Sequence, residues 1–254
     1  MDAVSPTFFL FLPCLLRKPV RDCAGENIYN NKDIMKRIIH LFVLTALVLM
    51  GGRSFAQNKH NYVDLGLPSG TLWATCNVGA DYPWEYGNYY AWGEIKTKTN
   101  YDWSNYKYAK GDSHKLTKYC DECSFGNNGF TDKLTKLQPG DDVVTAQWGS
   151  GWCMPTKEQW EELKQCVLLS KWTELNGVHG WLFIGTNGNQ LFLPASGYRW
   201  GDELNEVGSY GYYWSSTLCG GHIAWSFFIG SKRCGMNYDH RSDGLSVRAV
   251  RSAK

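Results

Sequence analysis

Three groups of residues in this 254-residue chain have types and spacings that could do chemistry. Cys120-Asp121-Glu122-Cys123 is a C-x-x-C, half of a zinc site or a redox pair. A structural zinc needs a second pair, and no other C-x-x-C or closely spaced His pair exists, so a disulfide or two surface thiols is the expectation. Asp141-Asp142, and Asp202-Glu203 with Glu206, could offer oxygens to Ca²⁺, but scattered loop carboxylates read as solvated turn residues. Asp239, His240 and Ser242 are triad residue types, yet they share one short polar stretch with no strand-to-helix nucleophile turn, so they read as exposed loop side chains. Phosphate-loop, dinucleotide, H-E-x-x-H and G-x-S-x-G signatures are absent. No catalytic residue, metal or cofactor is expected.

The elements that must carry these residues are mostly short strands. The clearest helix follows Pro155, where Thr156 and Gln159 form a capping-box pair and Trp160, Leu163, Val167 and Leu168 fall on one face. Residues 71–78, 181–185, 190–193, 211–216, 224–229 and 245–250 are rich in aromatic and β-branched side chains, and Asn187-Gly188 between two of them signals a hairpin turn. Long polar connections, 96–142 above all, suggest a small sheet with large loops. One helix against many strands predicts an α+β fold. Without a repeat or Pro-rich linker, residues 57–254 read as a single domain.

Upstream, Met35-Lys36-Arg37, an uncharged apolar run to Met50, and Ser54 and Ala56 before Gln57 have the anatomy of a secretory signal peptide. The 13-residue run is too short for the roughly 20 residues of a membrane span. Residues 35–56 are therefore expected to be cleaved, 1–34 to be an upstream gene-calling extension, and the mature protein to lack a transmembrane span. It is expected to be exported to the periplasm, cell surface or exterior. Its 19 basic and 20 acidic residues give a net charge of −1, with no field to attract nucleic acid. All 12 Trp lie in the mature part, as do seven Cys, an odd number that leaves at least one thiol unpaired in a monomer.

Five runs carry a resemblance: YVDLGLPSGTLWATCNVGA from Tyr62, GWCMPTKEQWEEL from Gly151, LPASGYR from Leu193, GYYWSST from Gly211 and GLSVRAVR from Gly244. In order over nearly all of 62–251, they resemble the FISUMP family (Fibrobacter succinogenes major paralogous domain). That resemblance implies a C-type-lectin-like fold, close to the formylglycine-generating-enzyme branch, with small antiparallel sheets, one or two helices, neighbouring termini and a loop-rich face. It also implies an exported or surface protein without assigned catalysis. The oxidising members of the wider fold carry a close Cys pair near the C-terminus, whereas Cys219 and Cys234 are 15 residues apart here; the calcium-binding lectin motifs are missing too.

The C-terminal stretch is also similar to proteins diversified by retroelements, in which motifs like those at 213–217 and 246–251 bound a variable ligand-facing segment. Adenine mutagenesis yields codons that cannot encode Lys, Glu, Gln, Met or Trp, and between the motifs only Trp225, Lys232 and Met236 fall outside the reachable set. Phe227 and Ile229 alternate with Ser226 and Phe228, so a strand there should bury the first pair and expose the second. Ala224, Phe227, Ile229, Met236, Arg241 and Gly244 are expected as scaffold. Cys219, Gly220, Gly221, His222, Ile223, Ser226, Phe228, Asn237, Tyr238, Asp239, His240, Ser242 and Asp243 are expected as an exposed face for a macromolecular or glycan ligand. The reading is a non-enzymatic recognition or adhesion domain. A formylglycine-generating-type enzyme and a structural component of a surface assembly are the alternatives. A thiol pair at the floor of a pocket would favour the enzyme.

Overall fold

Thr156 opens the best-defined helix. Its hydroxyl accepts from the Gln159 N–H while the Gln159 side chain accepts from the Thr156 N–H, completing the expected capping box. Helix α2 (Lys157–Cys166) buries Trp160 and Leu163 completely. It stops at Cys166, and Val167 is already extended, so Leu168 leaves the helical face on which it was expected and is 71% exposed. A shorter helix α1 (Val143–Trp148) precedes it, capped by Asp142, whose carboxylate accepts from the Val144 and Thr145 N–H groups. The computed structural model describes residues 60–252. The expected signal peptide at 35–56, its cleavage point before Gln57 and the 1–34 extension lie outside the described residues.

The strands form four small sheets. In the first, β2 (Thr71–Asn77) lies between β1 (Tyr62–Asp64) and β13 (Arg248–Ser252), antiparallel to both, so the first and last described strands share one sheet. The central sheet has the order β11-β10-β9-β12-β3, with β3 (Tyr89–Tyr90), β9 (Tyr210–Gly220), β10 (Ile223–Gly230), β11 (Arg233–His240) and β12 (Leu245–Ser246). Its pairings are antiparallel except for the single parallel contact of β12 with β9. The third sheet is the meander β4 (Leu169–Leu175), β5 (Val178–Ile184) and β6 (Gln190–Pro194). Gly188, with φ at +84°, turns the chain between β5 and β6 where Asn187-Gly188 predicted it. The fourth is the hairpin of β7 (Tyr198–Trp200) and β8 (Glu203–Asn205). Among the described residues, small antiparallel sheets with two α-helices make a mostly-β or α+β fold, and no helix is long and apolar enough to cross a membrane.

Two expectations need correction. The stretch 245–250 is not one strand: Val247 leaves the central sheet, its carbonyl accepts from the Val78 N–H, and the chain re-enters the first sheet as β13. The connection 96–142 has little regular structure beyond two 3₁₀ turns, yet it is no solvated loop. Tyr101, Tyr106, Tyr108, Leu116, Tyr119 and Leu137 from it are buried in one core cluster with Trp92 and Trp214. Aromatic side chains bury large apolar areas without demanding periodic backbone, which is why this segment packs although it shows no pattern.

The second core cluster joins α2 to the central and third sheets. The Trp160 ring stacks on Phe227 at 4.7 Å and tilts against Trp73 at 4.6 Å, and its indole N–H donates to the Trp214 carbonyl at 3.2 Å. Truncating a buried Trp costs about 3 to 5 kcal/mol. Trp160→Ala should therefore lose a large share of the domain's stability, read as a fall in the denaturant midpoint. An unchanged midpoint would show that α2 contributes little to the core.

Candidate functional site

The expected recognition segment is built on a buried cation. Arg241, which directly follows β11, is fully buried. Its guanidinium donates to the carbonyls of Lys118 (2.9 Å), Tyr119 (2.9 Å) and Gly221 (3.1 Å) and to the Tyr106 hydroxyl (3.1 Å), and it lies over the Trp92 ring at 5.0 Å. Its backbone is held as well, donating to the His222 carbonyl and accepting from the Trp92 N–H. One side chain thus fixes the β9–β10 turn, the end of β11 and the 96–142 connection to each other. Arg241 is scaffold, as the sequence suggests.

The turn itself leaves little freedom. Gly221 has φ at +50°, and a Cβ there would stand 2.7 Å from the Phe125 ring. His222 follows, its ring 4.9 Å from Phe125, 5.3 Å from His240 and 6.2 Å from both His114 and Trp103. Burial, and then the neighbouring His240, His114 and Arg241, push its pKa below that of an ordinary histidine.

Between β7 and the β10–β11 hairpin lies a cleft of about 300 Å³. Asp239 and Asp243 form its floor, Tyr198 and Tyr212 its sides, and the exposed Tyr238 and His240 its rim. Ile223 and Asn237 complete the lining, so six of the thirteen expected recognition residues converge on it. A second cleft of about 520 Å³, lined by Asp102, Trp103, Trp200, Asp202, Glu203 and Ser242 among others, opens alongside. Ser242 of the second cleft directly precedes Asp243 of the first in the chain.

Several of the thirteen are not the exposed side chains the sequence predicts. Phe227 and Ile229 are buried as expected, but Ser226 on the opposite face is fully buried too, because its hydroxyl is tied to the Asp239 carboxylate. Phe228 is only half-exposed, with the Tyr210 and Tyr212 rings each at 5.5 Å. Gly221 is buried under Phe125. Ser242 and Asp243 are buried because the chain after β11 is stitched to β7 by paired backbone hydrogen bonds between Gly244 and Arg199. Cys219, Gly220, His222, Ile223, Asn237 and Asp239 are half-buried, which leaves Tyr238 and His240 as the exposed members.

Sequence reasoning passed over Tyr198, Tyr212, Trp103 and His114, and read Glu206 as a solvated turn carboxylate. The period-2 pattern of β9 could have placed Tyr212 beside Phe228, its register partner on β10. Trp103 and His114 lie in the aperiodic 96–142 connection and gave no such signal.

The cleft's carboxyls are held far from their ordinary values. Burial, and then the Asp239 charge, push Asp243 up to about 7, while burial pushes Asp239 up to about 6 against the hydrogen bonds of Ser226 and Asn237. The Asp243 carboxylate accepts from the Ser242 hydroxyl at 3.4 Å, and that bond and the His240 backbone offset only part of the cost of burial. Neither acid has an ion-pair partner among the described residues. Asp141 differs: despite burial, Lys118 at 2.6 Å and Lys107 at 3.1 Å, with the phenols of Tyr108 and Tyr119, hold it well below the carboxylate range.

The seven cysteines of the described residues are all free thiols. Cys120 is buried and donates to the Glu122 carbonyl while Cys123 is exposed, so this C-x-x-C is neither a disulfide nor two surface thiols. Cys219 lies at the turn end of β9, and Cys234 faces Ile229 at the other end of β10. Burial raises Cys219 and takes Cys234 up to about 11, which keeps both protonated at neutral pH, opposite to what a reactive thiol needs. Among the described residues no group of three or more His, Cys, Asp or Glu side chains could hold a metal ion. Compared with family models, curated proteins and solved structures, the chain matches none.

Two outcomes follow from this geometry. Arg241→Met removes donors to three carbonyls, and each buried acceptor left bare costs about 1 to 3 kcal/mol. The variant should lose several kcal/mol in chemical denaturation, with amide-exchange protection lost first across 116–127. Asp243 is a raised carboxyl: below about pH 4 it is protonated folded and unfolded, and between about 4 and 7 the unfolded chain ionises first, so stability falls as pH rises through that window. His222 acts oppositely, losing stability as pH drops below its unfolded value of about 6.5. Comparing Asp243→Asn with wild type isolates the acid. The variant should gain thermal midpoint over wild type progressively from pH 5 to pH 8, and an equal difference at both pH values would refute the shift.

Proposed function

We propose that this chain is an exported, non-enzymatic recognition or adhesion domain of C-type-lectin-like fold, as its resemblance to the FISUMP family implies. It presents the end of the β10–β11 hairpin and the β9–β10 turn to a macromolecular or glycan ligand. The observation that carries this reading is the cleft between β7 and β11. Its base is fixed by the buried Arg241, while two of its rim side chains, Tyr238 and His240, project into solvent. A rigid base with an aromatic rim suits recognition, because little conformational entropy is lost when a ligand docks. The separation of Cys219 from Cys234 and their raised thiol pKa values weigh against formylglycine-generating chemistry. A structural role in a surface assembly would use the same exposed face without requiring a cleft.

Tyr238 and His240 should be removable without harm to the fold, whereas Asp239 anchors Ser226 and should be kept. Tyr238→Ala with His240→Ala should leave the thermal midpoint within a degree or two, yet reduce binding to bacterial and host cell surfaces and glycan arrays at least tenfold. Undiminished binding by the folded double variant would remove this face from the recognition reading.

A further inference from the structure

Among the described residues the buried charges of Asp141, Asp142 and Arg241 follow one rule, that each is compensated. Asp141 has two lysines, the Asp142 carboxylate caps α1 and accepts from the Met154 N–H as well, and the Arg241 guanidinium is held by three carbonyls and a hydroxyl. Asp239 and Asp243 break this rule. Asp243 is 8% exposed, has a long hydrogen bond from Ser242 and help from the His240 backbone but no cation, and no lysine or arginine lines the cleft above it. The half-buried Asp239 has only the Ser226 hydroxyl and, at 3.4 Å, the Asn237 amide. Unpaired ionised carboxylates in a partly dehydrated site are costly, and a cation supplied from outside relieves that cost.

Beside these two acids stand the rings of Tyr198 and Tyr212, whose faces attract cations, whereas Tyr238, on the other face of β11, sets its ring against Trp225. Glu206, which accepts from the Tyr212 hydroxyl at 2.7 Å, and the Asp102, Asp202 and Glu203 carboxylates of the neighbouring cleft add negative charge on the same side. No basic residue lines either cleft except His240 at the rim. Carboxylates below and phenols beside make a socket for a long side chain that ends in an ammonium or guanidinium group.

We propose that the cleft between β7 and β11 is a socket for a lysine or arginine side chain of a partner protein, with Asp239 and Asp243 as its counter-ions. This rests on the recognition reading above and narrows its ligand to a basic polypeptide. The adjoining acidic cleft continues the track for further basic residues of the same segment. Because the floor acids bind protons more readily than ordinary carboxyls, a cation must displace protons from them to enter, so affinity rises with pH between about 5 and 8. The charged groups around the socket are Glu206, His240 and, behind the turn, His222, His114 and Arg241. Protonation of the histidines at low pH acts in the same direction by repelling a cation.

The test is isothermal titration of the purified chain with a capped hexapeptide, Gly-Arg-Gly-Arg-Gly-Arg, and with its counterpart carrying neutral citrulline for arginine. The arginine peptide should bind. The citrulline peptide should bind at least tenfold more weakly, as should the arginine peptide to Asp243→Asn and, should that variant misfold, to Asp239→Asn. Binding to wild type should weaken at least fivefold from pH 7.5 to pH 5.5. Equal binding of the two peptides, or no effect of the folded Asn variants, would overturn the proposal. Spermidine or Ca²⁺ alone binding more tightly than the peptide would also overturn it, by assigning the acids to a free amine or a metal. If the Tyr238 and His240 double variant loses cell-surface binding while Asp243→Asn keeps it, the socket falls and the recognition reading stands. If the double variant keeps surface binding, the recognition reading fails first.

Discussion

The Arg241 guanidinium is the interaction on which the β9–β10 turn, the end of β11 and the 96–142 connection depend. It is buried without a carboxylate, and a permanently charged group is tolerable there only because carbonyl oxygens from two separate segments converge on it. A planar fork of fixed geometry satisfies such a set where a lysine could not. The constraint runs in both directions: the 96–142 connection owes part of its order to Arg241, and Arg241 would be intolerable without the turns that present those carbonyls. The neighbouring rings of Trp92 and Tyr106 add to the hold, with the guanidinium 5.0 and 5.4 Å from their centroids.

A second buried arginine repeats the device in the first sheet. Arg248 donates to the Asn77 side chain and to the carbonyls of Ala74 and Thr75, so β13 is locked to β2 by side chain as well as by ladder. Burial lowers the Arg248 pKa below its ordinary value, yet a guanidinium stays protonated at neutral pH. Two cations buried against carbonyls, and two carboxylates in a cleft without cations, divide the molecule electrostatically.

Much of the frame was legible in the sequence because it follows from local rules. The capping box at Thr156, the Asn187-Gly188 turn and the burial of Phe227 and Ile229 each depend on a few neighbouring residues. The misread positions depend on partners far along the chain. Ser226 is buried by its hydroxyl's bond to Asp239 and Gly221 by Phe125; Ser242 and Asp243 are drawn in by β7. Alternation along one strand says which side chains share a face, and cannot say whether a distant hairpin covers it. The strands at 169–175 and 233–240 escaped notice because Lys171, Glu174, Arg233 and Gly235 break the apolar pattern that marks a strand.

This arrangement limits which residues of the 218–245 segment can change. Any side chain at Gly221 meets Phe125, Ser226 has no room, and Arg241 through Gly244 are enclosed, with a Cβ at Gly244 only 2.7 Å from the Tyr101 ring. Tyr238 and His240 face solvent on alternate positions of β11, and between them Asp239 turns its carboxylate to Ser226 and the cleft. Substitution can therefore reshape the rim while the acidic floor stays where Arg241 and the Gly244–Arg199 bonds put it. The proposed socket would thereby keep one demand, a positive charge at a fixed depth, and leave the shape around that charge to the exposed side chains.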